Sequence, residues 1–312
     1  MSNRTLPRLL QAPAVLLLLV WMLVPLSMTL YFSFIRYVLN SFNRPEWTSP
    51  SLSNWRGFGN YKYVLDAKDF WLAIQNSVFI VSSILILTVI LGLAIAVLIN
   101  RSFPGRGIVR VLLISPFFVM PAVNAVLWIN MILDPVLGLN GLAVGGVNNI
   151  VDGLRDFPVL GSFFSMWPEF EPISFRATQT SSYAVIMMVS WQWTPFAVLI
   201  FMTSLQSEDE SQKEAATLDG ANAWSKFINL TVPHLARPIA IVVMIQSIFH
   251  LSLYAEIEIV SRGNGNKNLP YLIGEFTSNN IGAASATGIF AVILANIIAI
   301  FLLRVVGKSL MD

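Results

Sequence analysis

Six long apolar runs are the feature of this sequence that most restricts what the chain can fold into. A helix needs roughly 20 mostly apolar residues to cross the hydrocarbon core of a bilayer. Backbone N–H and C=O groups inside that core have to be paired with each other, so such runs form helices. We therefore predict an all-α polytopic membrane protein, a single transmembrane domain over residues 1–312. Its six predicted spans are residues 12–35, 74–99, 108–133, 183–205, 239–260 and 283–306.

The composition agrees with a membrane protein and excludes several other classes. Charged residues make up 12% of the 312 residues and hydrophobic residues 55%, whereas a soluble domain carries about 25% charged residues. The net charge is +2, and no basic run accompanies it, so we expect no nucleic-acid partner. The chain has no cysteine, which excludes disulfides and thiolate metal sites.

The first apolar run has to be compared with a secretory signal, because Arg4 and Arg8 precede it. The run is longer than the apolar core of a signal peptide, and no Ala-x-Ala cleavage site follows it. We therefore expect an uncleaved signal anchor that remains as the first span.

The distribution of Lys and Arg predicts the orientation, since cytoplasmic segments are enriched in these residues. Six spans place both termini on one side, and with the termini inside, the inner segments hold ten of the 19 Lys and Arg residues. The inner segments are much shorter, so their density is higher, and the tightest group is Arg101, Arg106 and Arg110. The prediction is that both termini are cytoplasmic, with periplasmic loops at 36–73 and 134–182 and a cytoplasmic loop at 206–238.

The inner loop 206–238 predicts two short helices. It begins with the acidic stretch 207–211 and continues with good helix formers, and acidic residues suit the first turn of a helix. Gly220 is expected to break the run, and Pro233 and Pro238 are expected to end the second helix.

Signatures of catalysis and metal binding are poor. His234 and His250 are too far apart in sequence to suggest a metal pair. The tripeptide Gly307–Ser309 resembles the end of a phosphate loop, but that motif needs a glycine where Leu302 stands. Gly263–Gly265 predicts a turn. We therefore expect a non-catalytic chain without a cofactor of its own.

Polar and aromatic side chains cluster within spans four and five, where polar groups are costly and often mark a substrate pathway. By their spacing, Gln246, His250 and Leu253 are predicted to share one face of a helix. Two interpretations stay open for each residue, lining of a pathway or packing and anchoring of helices. For the His250 face as a group we favour lining. Glu256 and Glu258 lie towards the outer end of span five, where we expect solvated carboxylates.

The inner loop also carries a motif with fixed spacing. It reads Glu-Ala-Ala-Thr-Leu-Asp-Gly over residues 214–220 and Leu-Thr-Val-Pro over residues 230–233, with nine residues between them. This resembles the EAA loop of the permease subunits of binding-protein-dependent ABC importers, whose pattern is Glu-Ala-Ala, three residues, Gly, nine residues and Ile-x-Leu-Pro. A chance match in a solvated loop is the alternative, and the position of the motif in the one long inner loop argues against it.

The resemblance extends over nearly the whole chain. Residues 12–34 are similar to the first span of sugar permeases, and Gly105–Gly107 to the entry into the third span. The chain is most similar to the maltose and glycerol-phosphate permeases, and residues 206–220 are most similar to the sorbitol and mannitol branch. Two departures are Glu208–Glu210, where many relatives carry Ile-Pro-Pro, and Gly263–Gly265, where relatives often carry Gly-Gly-Pro.

This resemblance implies a type I ABC importer permease fold in the bacterial inner membrane. It also implies a second permease subunit beside this chain in the lipid, two copies of an ABC ATPase subunit that bind Mg-ATP, and a periplasmic substrate-binding protein. Glu214 would make a polar contact to the ATPase, and Gly220 would turn the chain where a Cβ would obstruct. The ATPase-coupling residues so implied are Glu214, Ala215, Ala216, Asp219, Gly220 and Pro233.

The same resemblance places a sugar site in the spans before and after the inner loop. The pathway residues so implied are Ser190, Trp191, Gln192, Trp193, Phe196, Gln246, Phe249, His250, Leu253 and Tyr254. These spans carry no Arg or Lys to pair a charged ligand, so we expect a small uncharged carbohydrate, with a polyol such as mannitol or sorbitol favoured. The alternative function is a stand-alone secondary transporter. Such proteins often show internal repeats and carboxylates at mid-depth, and neither is found here.

Overall fold

A computed structural model of the chain describes residues 5–38, 52–155 and 161–311. Arg4 and parts of the predicted loops 36–73 and 134–182 lie outside these residues. The described part is built of helices and carries no β-strand, only isolated bridges. Its α-helices are α1 (Thr5–Ser33), α2 (Gly59–Asp66), α3 (Lys68–Asn100), α4 (Arg106–Ile114), α5 (Pro121–Leu127), α6 (Leu139–Arg155), α7 (Gly161–Phe164), α8 (Ser181–Leu205), α9 (Glu210–Leu218), α10 (Ala223–Lys226), α11 (Val232–His234), α12 (Ala236–His250), α13 (Ala255–Ser261), α14 (Leu269–Thr277) and α15 (Ile281–Met311).

Four helices are long and apolar enough to cross a membrane by themselves. They lie at predicted spans one, two, four and six, and their membrane-compatible parts are Leu10–Ser33, Lys68–Asn100, Ser181–Leu205 and Ile281–Phe301. Two further pairs of helices reach the required length and apolarity only together, and each pair is sharply bent. The described residues therefore contain four membrane-spanning candidates, or six when each bent pair counts as one span.

The first bent pair lies at predicted span three. The helix direction bends by 103° between its halves, Arg106–Phe118 and Pro121–Ile132. Pro121 lacks a backbone N–H, and a proline disfavours helical geometry in the residue before it. Met120 accordingly has an extended ψ of 139°. The sequence prediction of one continuous span over residues 108–133 did not include this break, which Pro121 explains.

The second bent pair joins the inner loop to α12 and differs from the prediction in two ways. The helix direction bends by 55° between its halves, Ala223–His234 and Ala236–His250. Pro238 lies in the first turn of α12, where a proline is tolerated, so it does not end a helix as predicted. The helix then ends at His250 and resumes as α13 at Ala255. Leu253 is therefore not on one helical face with Gln246 and His250, and that prediction is wrong.

Glu256 also departs from the prediction. Glu256 is only 5% exposed, because α13 packs against α5. The prediction of a solvated carboxylate at this position is therefore wrong. Glu258, two residues further along α13, is half-buried and lines a cavity of about 480 Å³ together with Arg176 and Arg262.

Packing divides the chain into two compact units, Met1–Ile74 with Leu269–Asn296, and Gln75–Asn268 with Ile297–Asp312. The first unit has an apolar core that includes Val64, Phe70 and Leu272. The second has a core that includes Phe201, Leu235 and Val242. The candidate functional residues all belong to the second unit.

A close approach of α3 and α8 shapes the second unit. A Cβ added at Gly92 would stand 2.7 Å from the Cβ of Ala197. Small residues allow helix backbones to approach in a membrane, where packing rather than the hydrophobic effect holds helices together. This contact fixes one side of α8 and leaves its other sides to the α4–α5 segment and to α12.

The turn predicted at Gly263–Gly265 is confirmed. Arg262, Gly263 and Gly265 all have positive φ, at 52°, 74° and 83°. A Cβ at Gly265 would overlap the carbonyl oxygen of Thr178, and the Thr178 hydroxyl donates to Asn264 Oδ1 at 2.9 Å. The turn is therefore held against the outer segment that precedes α8.

Candidate functional site

The first helix of the inner loop, α9, begins at a side-chain cap. Asp209 is the N-cap residue, and its Oδ1 accepts a hydrogen bond from the backbone N–H of Ser211 at 2.9 Å. Hydrogen bonds from the side chain and backbone of Ser211 hold the pKa of Asp209 below its ordinary value. The capping carboxylate is therefore charged at neutral pH, and its negative charge at the N-terminus of α9 interacts favourably with the helix dipole.

The same helix ends in a Schellman motif at Gly220. The backbone N–H of Gly220 donates to Thr217 O at 3.1 Å, and that of Ala221 donates to Ala216 O at 2.9 Å. This bonding places Gly220 in the left-handed region, with φ of 82°. A Cβ at Gly220 would meet no atom within 4 Å among the described residues. The left-handed backbone conformation is therefore what requires a glycine at this position. The described residues do not show the obstruction of a Cβ that was expected here.

The predicted coupling residues lie on an open surface. Glu214, Ala215, Asp219 and Pro233 are exposed, and Ala216 is half-buried. Five of the six predicted coupling residues, Glu214 to Ala216, Asp219 and Gly220, lie on α9 and the turn after it, whereas Pro233 lies apart from them in α11.

Two large apolar side chains beside the coupling residues were missed by the sequence reasoning. Leu218 is 90% exposed and Trp224 is 70% exposed, and they flank the turn at Gly220. Exposed apolar surface of this kind marks a contact with another protein or with lipid. Their position next to the motif was the signal available in the sequence.

Glu208 forms the centre of a polar network beneath α9. Its side chain is buried, and its Oε2 lies 3.3 Å from Lys213 Nζ. Its Oε1 accepts a hydrogen bond from Thr231 Oγ1 at 2.9 Å, and Lys213 also contacts Glu210 at 3.1 Å. Glu208 thus joins the end of α8 to α9 and to the second half of the loop.

The second half of the loop returns to the membrane without a straight helix. Asn222 caps α10 by accepting from Ser225 N at 2.8 Å, and a π-helical stretch, Phe227–Thr231, leads into α11. The His234 ring Nε2 lies 2.9 Å from Ser204 O, near the end of α8. Both ends of the loop are therefore tied to the inner end of α8.

An aromatic and polar cluster lies between α8 and α12, centred on Trp193. Ring centroids of Phe249 and His250 both lie 5.0 Å from that of Trp193. Phe117 and Phe196 lie 5.5 and 5.9 Å away. Trp193 is half-buried and Phe249 is exposed, so the cluster has an open side.

Unpaired polar atoms face this cluster. His250 is buried, and neither of its ring nitrogens has a hydrogen-bond partner among the described residues. Gln246 is also buried; its Nε2 donates to Trp193 O at 3.4 Å, while its Oε1 has no partner within the described ranges. Residues 181–205 and 239–255 contain no Asp, Glu, Lys or Arg. The cluster combines aromatic faces with uncharged hydrogen-bonding groups.

Three of the predicted pathway residues lie elsewhere. Ser190 and Trp191 face the other side of α8, where they line an apolar cavity of about 570 Å³ with Trp128. Gln192 is buried and has partners for both ends of its amide, since Asn124 donates to its Oε1 at 3.0 Å and its Nε2 donates to Val119 O. Gln192 therefore ties α8 to the break in span three.

Leu253 and Tyr254 lie in the connection between α12 and α13. Leu253 is buried, and its carbonyl accepts a hydrogen bond from Asn268 Nδ2 at 2.6 Å. Tyr254 is exposed. Among the described residues no group of three or more His, Asp and Glu side chains is placed to hold a metal ion.

Comparison with known proteins gives the family. The model of the binding-protein-dependent transport system inner membrane component family matches residues 85–312. This chain belongs to that family. It is accordingly a multi-pass permease of the inner membrane and a transport subunit, not an enzyme.

Named transporters match this permease over most of its sequence. The inner membrane ABC transporter permease protein YcjO of Escherichia coli (strain K12) is 29% identical over 294 residues, which cover 92% of this chain and 91% of YcjO. The trehalose/maltose transport system permease protein MalF of Thermococcus litoralis is 26% identical over 301 residues, which cover 94% and 90%.

A crystal structure shares the fold of the permease. It is that of a bacterial alginate ABC transporter in complex with an alginate pentasaccharide-bound periplasmic protein. The TM-score is 0.69 at 18% identity, and the match covers 96% of this chain and 94% of the other. The all-helical ABC importer permease fold predicted from the sequence is confirmed.

Proposed function

We propose that the permease forms, with a second permease subunit, the pathway through which an ABC importer takes up a sugar or sugar alcohol. Two copies of an ATPase subunit hydrolyse Mg-ATP, and a periplasmic binding protein delivers the substrate. Both termini are cytoplasmic, which places α9 on the side where ATP is available. The observation that carries this proposal is the exposed segment from α9 to α10, which contains the Glu-Ala-Ala and Gly positions together with uncovered Leu218 and Trp224.

The ATPase contact is made by α9 and the turn after it. Leu218 and Trp224 enter a cleft of the ATPase subunit, where burial of apolar surface favours binding. Glu214 makes a polar contact at the rim, and Ala215 and Ala216 allow the helix to approach closely. This division into apolar centre and polar rim is typical of protein interfaces.

Motion of α9 reaches the spans through the network around Glu208. α9 itself has no buried residue, so few apolar contacts connect it to the membrane helices. The ion pair between Glu208 and Lys213 and the hydrogen bond from Thr231 bridge that gap. Closure of the ATPase pair therefore displaces the inner ends of α8 and α12 together with α9.

The carbohydrate passes the cluster around Trp193. Aromatic faces pack against the C–H surface of a sugar, and a few placed polar groups supply specificity. His250 and Gln246 offer hydrogen-bonding atoms without a protein partner in the described part of the chain, and a substrate hydroxyl satisfies them. The lack of charge in α8 and in residues 239–255 favours an uncharged cargo, and a polyol such as mannitol or sorbitol is our first choice.

Uptake by intact cells or by the reconstituted complex tests the cargo. The complex, with its cognate binding protein present, is supplied with radiolabelled mannitol, sorbitol, trehalose and maltose in turn. ATP-dependent accumulation of a polyol, competed by unlabelled polyol, is the expected result. Accumulation of a disaccharide alone would restrict the proposal to sugars. Uptake of none of them, or uptake without ATP, would contradict it.

A further inference from the structure

Helix α6, in the segment between spans three and four, carries two of its three asparagines, Asn140 and Asn148, on the side that faces its own chain, and the third, Asn149, is exposed. Asn140 Nδ2 donates to Ile173 O at 2.8 Å. Asn148 pairs with the backbone of Phe170 in both directions, at 2.9 Å from Nδ2 to the carbonyl and 3.0 Å from the backbone N–H to Oδ1. The polar side of the helix is therefore satisfied by the segment that follows it.

The opposite side of α6 is apolar and uncovered. Its residues recur at intervals of three and four, so they form one stripe along the helix. Leu139, Leu142 and Ile150 are 61%, 65% and 65% exposed. The outward stripe, defined by these positions and those between them on the same face, consists of Leu139, Leu142, Ala143, Gly146, Val147 and Ile150.

Charge is kept away from the outward stripe. Residues 139–151 contain no charged side chain, and Asp152 and Arg155 pair with each other at 2.7 Å at the end of the helix. A helix that faces water carries polar residues outside and apolar residues inside. This helix has the reverse arrangement, which suits an apolar medium.

The apolar surface continues from the outer end of span three to the helix. Met131, Val136 and Leu137 are all exposed. Asp134 stands between them, but its Oδ1 accepts hydrogen bonds from the backbone N–H groups of Val136 and Leu137 at 2.9 and 2.8 Å. The exposed surface of a span meets lipid or another subunit in the membrane, and the outward stripe extends this surface.

We propose that α6 is an interfacial helix, with its outward stripe inserted among the acyl chains of the phospholipid leaflet on the side of residues 134–182. A helix lying in the interface plane buries one apolar face between headgroups and chains. The lipid is favoured over water by the apolar character of the stripe, whose edge carries a single amide, Asn149. It is favoured over a protein by the position of α6, since only six residues separate Leu139 from Ile132 at the end of span three.

An embedded α6 fixes the rest of the outer segment at the membrane surface. Asn140 and Asn148 hold Ile173 and Phe170, as described above. Arg155 donates through Nε to Phe164 O at 3.1 Å and through Nη2 to Trp167 O. The segment 163–173 is thereby held over the buried helix, so it forms a firm surface beside the outer end of α8.

Single cysteines test the position of the outward stripe, because the chain has none of its own. Leu142→Cys and Ile150→Cys carry a nitroxide label, and Asp152→Cys on the polar flank of the same helix is the matched control. The labelled permease is reconstituted with its second permease and ATPase subunits in vesicles of phosphatidylethanolamine and phosphatidylglycerol. Collision of each label with oxygen, which concentrates in lipid, and with a water-soluble nickel chelate is measured by electron paramagnetic resonance.

The expected result is loss of collision with nickel and high collision with oxygen at positions 142 and 150, with the reverse at position 152. Equal access of nickel to all three labels would overturn the inference, because the stripe would face water. Shielding of 142 and 150 from both reagents would also overturn it and would indicate a protein partner. If a bulky label disturbs folding, Ala143→Cys probed with a membrane-impermeant maleimide tests access from water alone, and rapid modification of this thiol would overturn the inference. None of these outcomes depends on the cargo or on ATP coupling.

Discussion

At the scale of single residues, backbone conformation explains why the motif has a glycine at Gly220. Its φ of 82° costs a residue with a branched Cβ about 1–2 kcal/mol, whereas Asn enters this region more readily. We predict that Gly220→Val reduces both copurification of the ATPase subunits and uptake, and that Gly220→Asn affects both much less. Equal loss in the two variants would instead mean that docking of the ATPase tolerates no side chain at position 220.

His250 gives the corresponding test for the pathway. Loss of one hydrogen bond to the substrate costs about 1 kcal/mol. We therefore predict that His250→Ala raises the half-saturating carbohydrate concentration about fivefold and leaves binding of the ATPase subunits unchanged. Ser190→Ala, on the opposite side of α8, is the control and is expected to transport normally. If His250→Ala prevents assembly of the complex, His250 is a packing residue.

The residue types at both sites were predictable from the sequence, but their division into groups was not. Ser190 to Trp193 are adjacent in the chain, and a helix turns adjacent residues to different faces. Which face meets α12 depends on the close approach at Gly92 and on the amide of Asn124, both far away in sequence.

At the scale of helices, the Glu208 network is the main connection predicted to carry force out of α9. Burial alone would lower the pKa of Lys213, but hydrogen bonds and charges of Glu210 and Glu208 outweigh it and raise that pKa. A raised pKa means that the network contributes stability at neutral pH and loses it only as the pH rises through the alkaline range.

We predict that Glu208→Gln leaves ATP hydrolysis and subunit assembly intact and lowers the amount of carbohydrate transported per ATP. The matched variant is Glu208→Lys with Lys213→Glu, which restores opposite charges in exchanged positions and is expected to recover part of the ratio. Transport and hydrolysis are measured on the same proteoliposomes. An unchanged ratio in Glu208→Gln would show that force leaves α9 by another route.

Helix breaks differ in how far the sequence reveals them. The bend of span three has a local cause in the sequence, Pro121, although we predicted one continuous span over residues 108–133. The end of α12 at His250 does not, because residues 239–258 contain no proline or glycine. There the carbonyl of Leu253 is taken by Asn268, fifteen residues further along the chain, and a tertiary hydrogen bond of this kind leaves no local pattern.

At the scale of the whole molecule, the candidate membrane spans lie where the sequence predicts them, four as single helices and two as bent pairs, because length and apolarity alone decide whether a segment can cross a bilayer. The sequence predicts burial less well. Glu256 was expected in solvent and is buried by α5, and the outward stripe of α6 was expected in a loop. The burial of Glu256 and the exposure of the outward stripe depend on which surfaces of the fold meet protein or lipid, and composition does not reveal this.

The central claim is that α9 and the turn at Gly220 dock on an ATPase subunit. The most direct measurement is site-specific cross-linking from Leu218→Cys in the otherwise cysteine-free chain, with Asp152→Cys, in the loop predicted to be periplasmic, as control. We predict that a short photoactivatable label at position 218 joins the permease to the ATPase subunit, with a yield that changes when ATP is added, and that the label at position 152 does not. A label at position 218 that never reaches the ATPase subunit in the assembled complex would contradict the account.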